Sequence, residues 1–116
     1  MKAGARALCV ITNDAWWGDT PGYRQHLSYS CLRAIETRRD IARCANTGIS
    51  GFIDQRGDIL SQSGWWVPAH LEGRINLSDR ETFFVRHGDI VGRVSTFAAL
   101  LLLLAMVVRL IVRRRG

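Results

Sequence analysis

The chain has 116 residues, 47% of them hydrophobic, a length that allows one modest domain. Its net charge of +6 is unevenly spread: residues 93–116 carry Arg93, Arg109, Arg113, Arg114 and Arg115 with no acid, whereas residues 1–92 hold eleven basic and ten acidic side chains. The near-neutral N-terminal part lacks the basic footprint that binding a phosphate backbone requires, and this argues against nucleic acid as a partner.

Residues 7–12 form a nearly continuous apolar run, the pattern of a strand buried on both faces. Thr12-Asn13-Asp14-Ala15-Trp16-Trp17-Gly18-Asp19-Thr20-Pro21-Gly22 follows, two adjacent tryptophans among turn-forming residues. It reads as a loop between a strand and a helix. Such loops often carry function because a rigid scaffold aims them, although a hydrophobic lid at a strand end would use the same residues. Tyr23, Leu27, Cys31, Ala34 and Ile35 recur at helical spacing and predict an amphipathic helix over 23–38, with Arg24, Gln25, Arg33, Glu36 and Thr37 on its other face.

Asp40 breaks that pattern, and 41–45 reads as a strand ending at Asn46-Thr47-Gly48. Residues 49–53 and 58–62 flank Asp54-Gln55-Arg56-Gly57, a hairpin signal. Residues 63–68, with the second tryptophan pair Trp65-Trp66, form a loop. Residues 69–77 alternate like a half-exposed strand, and 79–89 is a polar approach to the last segment. Strand, helix and then several strands indicate an α/β or α+β layer. One helix covers only one face of such a sheet, so cover for the other face is expected from a longer protein.

Residues 94–112 contain a five-leucine run and one charge, Arg109. Roughly 20 apolar residues cross the hydrocarbon core, and a helix without a polar face would otherwise need protein on every side. Arg109 lies one turn from the end, where its stem can run along the helix towards the headgroups. Arg113–Arg115 follow directly, and basic flanks stay cytoplasmic. This orients the C-terminus to the cytoplasm and residues 1 to about 90 to the far side, in a bacterium the periplasm. Arg86 and Arg93 on the other flank reduce that bias. No apolar leader follows Met1-Lys2-Ala3-Gly4-Ala5-Arg6, so a periplasmic domain is expected to be a fragment of something longer.

Cys9, Cys31 and Cys44 are odd in number and show no CxxC spacing, which argues against a zinc site or a disulfide framework. They are expected to be small buried hydrophobes. His26 opens the predicted helix and reads either as a surface or capping residue or as a base or substrate contact. Arg33 and Glu36 have the spacing of a solvated helical ion pair. No GxSxG, Walker A or GxGxxG pattern is present.

In order along the chain, Ile11-Thr12-Asn13-Asp14-Ala15-Trp16-Trp17-Gly18-Asp19-Thr20, Gln25-His26-Leu27, Arg33-Ala34-Ile35-Glu36, Arg39, Arg43 and Ala45-Asn46-Thr47-Gly48-Ile49-Ser50 carry a resemblance. Thr82-Phe83-Phe84-Val85-Arg86-His87-Gly88-Asp89 extends it. Together they resemble the C-terminal part of the apolipoprotein N-acyltransferases, a family within the carbon-nitrogen hydrolase (nitrilase) superfamily. The resemblance implies an α/β fold: a partial αββα sandwich over residues 1–90 on the periplasmic side, one transmembrane helix over 94–112, and a basic cytoplasmic tail at 113–116 in the bacterial inner membrane. It also implies transfer of a fatty acyl group from a phospholipid donor to the α-amine of a diacylglyceryl-modified apolipoprotein cysteine, through a thioester on a Glu-Lys-Cys triad.

No cofactor or metal is implied. In the family's order the triad lies upstream of the residues present here, so this chain has no catalytic residue of its own, Cys9 is not promoted in place of the nucleophile, and the chain alone is expected to be inactive. Trp16 corresponds to a tryptophan near the acyl site, with Asn13, Asp14 and Gly18 shaping its loop and Trp17 and His26 as further candidates. Trp17 stands where phenylalanine is commoner. The implied partners are the two lipid substrates, the membrane and the remaining N-terminal part of the enzyme. Two other readings are a membrane-tethered amidase of the same superfamily and a non-catalytic single-span protein that uses its tryptophan loops as a lipid or partner surface.

Overall fold

The structure, a computed structural model, describes residue 1 and residues 3–115, without the side chain of Arg115. Lys2 in the leader region and Gly116, the last residue of the expected basic tail, lie outside the described residues. The elements run β1 (Leu8–Asn13), a 3-10 turn (Ala15–Trp17), α1 (Gly22–Thr37), β2 (Ile41–Asn46), β3 (Gly51–Ile53), β4 (Ile59–Gln62), α2 (Phe83–His87) and α3 (Ile90–Arg115). They fall into two compact units, one ending at Arg86 and the other starting at His87.

In the first unit the strands form one sheet in the order β1-β2-β3-β4. β1 and β2 are parallel, with Leu8 opposite Ile41 and Asn13 opposite Asn46. A parallel pair needs a long crossover, and α1 supplies it. β3 and β4 add antiparallel through the predicted hairpin, where Gly57 takes φ 89°.

Strand parity sorts the side chains. Leu8, Val10, Ile41 and Ile53 point to the face covered by α1, where Leu27 and Ala34 complete the core and Cys31 and Ile49 pack beside it. The buried stripe of α1 is Tyr23, Leu27, Ser30, Ala34 and Thr37, steps of three and four residues on one side of the helix. Two residues therefore depart from expectation. Thr37 is buried because its hydroxyl donates to the Arg33 carbonyl at 2.6 Å, and Ile35 stays exposed at the edge of the stripe.

The opposite face of the sheet is open. Ile11 is 87% exposed, and Cys9 and Cys44 are exposed with it. This corrects two expectations. β1 alternates between half-buried and exposed and is not buried on both faces, and two of the three cysteines are not core residues. The physical reason is parity: Cys9, Ile11 and Cys44 point away from the single helix that covers the sheet.

Residues 69–77 are also corrected, because they form no strand. The Asn76 N–H finds a side chain instead of a strand partner. Asp40, buried, accepts from Gln55 N at 3.0 Å, Asn76 N at 2.6 Å and Asn76 Nδ2 at 3.1 Å. Its neighbour Arg39, also buried, donates to the carbonyls of Ala5 and Arg80 and to Ser78 Oγ. Buried charges persist where they are paired or fully hydrogen-bonded, and these two hold the irregular segment to the sheet. The polar approach contains α2, where Thr82 Oγ1 caps the first turn by accepting from Val85 N at 3.1 Å and donates to Glu36 O.

In the second unit, α3 is 26 residues long, about 39 Å at 1.5 Å per residue. Ile90–Arg114 has a window of mean hydropathy 2.4 with none of it buried. It is long and apolar enough to cross a membrane.

Candidate functional site

The Trp16 loop leaves the end of β1 through Asp14, a buried carboxylate. Asn13 Oδ1 accepts from Ala15 N at 3.1 Å, a side-chain turn that starts the 3-10 segment. Trp17 N then donates to Asp14 O and Gly18 N to Ala15 O, each at 3.2 Å. Gly18 closes the turn at φ 53°, a conformation glycine takes without the Cβ penalty. The result displays Trp16, 85% exposed, while the Trp17 ring lies so close over Gly22 that a Cβ there would overlap it.

Asp14 is the anchor. Its backbone N–H donates to Asn46 O at 3.2 Å, tying the loop to the end of β2. Its Oδ2 stands 2.8 Å from Arg43 Nη2, both side chains fully buried. Its Oδ1 stands 2.7 Å from His26 Nδ1 on α1 and accepts from Thr12 Oγ1 at 3.3 Å. Arg43 spends its other donors on Ser30 Oγ at 2.9 Å and Ile49 O at 3.1 Å. Removing one member of such a pair leaves an uncompensated buried charge, which costs about 3–5 kcal/mol. The network joins β1, α1, β2 and the residues after it behind one loop.

The sequence reading brought Asn13, Asp14, Gly18, Trp16 and Trp17 together, as expected of one loop, and the fold adds His26 to them through Asp14. It missed Arg43 and Ser30 as members. The available signal was parity: Arg43 stands two residues after Ile41 in β2, and both belong to the inward set.

A cleft of about 610 Å³ opens beside this loop, with Ile11, Cys44, Asn46, Thr47, Trp66 and Pro68 among its lining. Asn13, Asp14, Trp16 and Gly18 do not line it. The turn after β2 borders both features. Asn46 O takes the Asp14 N–H, and Thr47 O takes the Trp66 N–H at 2.9 Å. Trp66 is held at φ 57°, and Trp65 stacks on Tyr23 with ring centroids 5.1 Å apart.

Cys31 is the one cysteine near the core. Burial pushes its thiol pKa up, opposed by a backbone hydrogen bond and by the Arg43 charge, so its thiolate is disfavoured. Among the described residues, no group of three or more His, Cys, Asp or Glu side chains is arranged to hold a metal ion.

Residues 1–83 match the carbon-nitrogen hydrolase family, and the chain belongs to it. The similarity narrows further among individual proteins. Over 109 residues the chain is 39% identical to an apolipoprotein N-acyltransferase of Chlorobaculum tepidum, covering 94% of this chain and 20% of the relative. It is 42% identical over 90 residues to that of Geobacter metallireducens, covering 78% and 17%. The Thermotoga maritima enzyme is 37% identical over 116 residues, covering 100% and 22%. The chain thus spans about a fifth of the length of the curated relatives it matches.

Proposed function

We propose that this chain is the part of an apolipoprotein N-acyltransferase that carries one wall of its acyl-transfer site and a membrane-spanning helix. The reaction moves a fatty acyl group from a phospholipid to the α-amine of a diacylglyceryl-modified apolipoprotein. It runs through a thioester on a cysteine supplied, with its Glu and Lys, by residues outside this chain. The thiolate attacks the phospholipid ester and the lysophospholipid leaves; the amine then opens the thioester and regenerates the thiol.

The observation that carries this reading is the loop itself. A largely exposed aromatic, Trp16, stands on a 3-10 turn whose base is locked by the buried Asp14–Arg43 pair. Rigid support beneath an exposed ring suits substrate contact, because the geometry is fixed before the substrate arrives. Asn13, Asp14 and Gly18 shape that turn. The open face of the sheet, with Ile11, Cys9 and Cys44, would pack against a second sheet of an αββα sandwich. On this reading the N-terminal unit belongs in the periplasm, with α3 crossing the inner membrane and Arg113–Arg115 in the cytoplasm, in keeping with the basic flank of the apolar span.

Replacing the matched fifth of the Chlorobaculum tepidum enzyme by this chain tests the reading. The chimera is expected to acylate a diacylglyceryl-modified lipopeptide from phospholipid, and this chain alone to form no thioester. A folded chimera without transfer would refute the assignment. Acyl label on Cys9, Cys31 or Cys44 of the chain alone would refute its inactivity.

A further inference from the structure

Asp14 and Arg43 make opposite demands on the imidazole between them. Arg43 Nη2, which only donates, stands 3.4 Å from His26 Nδ1; Asp14 Oδ1, which as a carboxylate only accepts, stands 2.7 Å from the same nitrogen. One nitrogen cannot accept from the first and donate to the second. The contact to the carboxylate is shorter by 0.7 Å, and Arg43 already has Asp14 Oδ2, Ser30 Oγ and Ile49 O as acceptors. The proton therefore sits on Nδ1. Nε2 makes no hydrogen bond to any described residue, and the side chain is 34% exposed.

We propose that the buried Asp14–Arg43 pair is a positioning device that holds His26 with its proton on Nδ1 and presents Nε2 as a hydrogen-bond acceptor beside the Trp16 loop. Such a nitrogen takes an N–H or O–H donor, the chemistry of an amine or hydroxyl group on a substrate, and can receive its proton. Asp14 orients the ring, and Arg43 acts one step behind by fixing Asp14. A histidine whose second nitrogen is set by a buried carboxylate is a recurrent way of presenting a base. The substrate contact rests on the acyl-transfer reading, whereas the ring state does not.

The two parts are therefore tested separately. The 116-residue chain, ¹⁵N-labelled in detergent micelles, is examined by imidazole ¹⁵N NMR at a pH where its histidines are neutral, with His26→Gln identifying the signals against His70 and His87. The expected spectrum has a pyrrole-type Nδ1 and a pyridine-type Nε2. Asp14→Asn should invert it: Arg43 offers only donors, so the new amide must turn its carbonyl to Arg43 and its NH₂ to the ring, moving the proton to Nε2. The tautomer reports the Asp14 contact, and the role of Nε2 towards substrate is read separately from kcat/KM.

An Nε2–H ring in the parent chain, or a tautomer indifferent to Asp14→Asn, overturns the proposal. If Asp14→Asn does not fold, Ser30→Ala serves. It leaves the carboxylate contact in place, so the tautomer should persist, and a change there equally overturns it. In the active chimera, His26→Gln should lower kcat/KM about tenfold, the scale of one lost hydrogen bond. An unchanged kcat/KM removes the substrate contact and leaves the acyl-transfer reading standing.

Discussion

Gly48 lies directly against the Asp14 carboxylate, so close that a methyl group in its place would overlap the Asp14 side chain. Relief by rotation is blocked, because Arg43, His26 and Thr12 hold the carboxylate from other sides. Gly48→Ala is therefore expected to destabilise the first unit by about 1–3 kcal/mol, read as a lowered midpoint in denaturant. A midpoint equal to the parent's would mean that the loop and turn yield more easily than this packing allows.

Trp16 should behave in the opposite way. It is 85% exposed, and exposed substitutions usually change stability by less than about 0.5 kcal/mol. Trp16→Ala is expected to leave the unfolding transition where it was and to abolish transfer in the chimera. Equal loss of stability and activity would assign the ring to the fold and not to the substrate.

Asp40→Ala removes an acceptor that three donors share. It leaves the Gln55 and Asn76 N–H groups without that acceptor. A loss of about 3 kcal/mol is expected, and the segment around Asn76 should become the first site of limited proteolysis. Unaltered cleavage kinetics there would contradict the anchoring role.

The raised Cys31 thiol gives a pH signature. Alkylation of Cys31 should lag behind that of exposed Cys9 and Cys44, and its rate should still be climbing where an ordinary thiol has already ionised. The folded state holds this proton more tightly than the unfolded chain. The associated stability is therefore present below the ordinary thiol range and is lost as pH rises through the folded pKa. Mass-resolved labelling against pH would reveal any early reaction at Cys31.

In the second unit, Leu102 lies near the middle of the apolar span. Leu102→Arg carries an insertion penalty of about 2.5–3.5 kcal/mol and should shift the chain from the membrane to the soluble or aggregated fraction, whereas Leu102→Ala should not. Carbonate extraction distinguishes the two outcomes.

Periodicity made most of the elements legible. The helical spacing from Tyr23 gave α1 to within a residue at each end, and the Asp54–Gly57 turn gave the β3–β4 hairpin. What it did not give depends on contacts across the chain. Residues 69–77 alternate convincingly, yet they pair with no strand, and the Asn76 N–H goes to the Asp40 carboxylate instead. The cysteines were misjudged because apolar character does not say which face of a strand has cover. The candidate loop was visible as a string of turn formers. Its support was hidden in a single arginine inside an otherwise apolar strand, whose partners lie 13 and 29 residues away.

Asn46 and Thr47 offer their carbonyls in succession, one to the Trp16 loop and the other to the Trp66 loop. The two tryptophan loops, 49 residues apart in the chain, therefore rest on one pair of adjacent peptide units, and the turn after β2 is the shared footing of both aromatic displays.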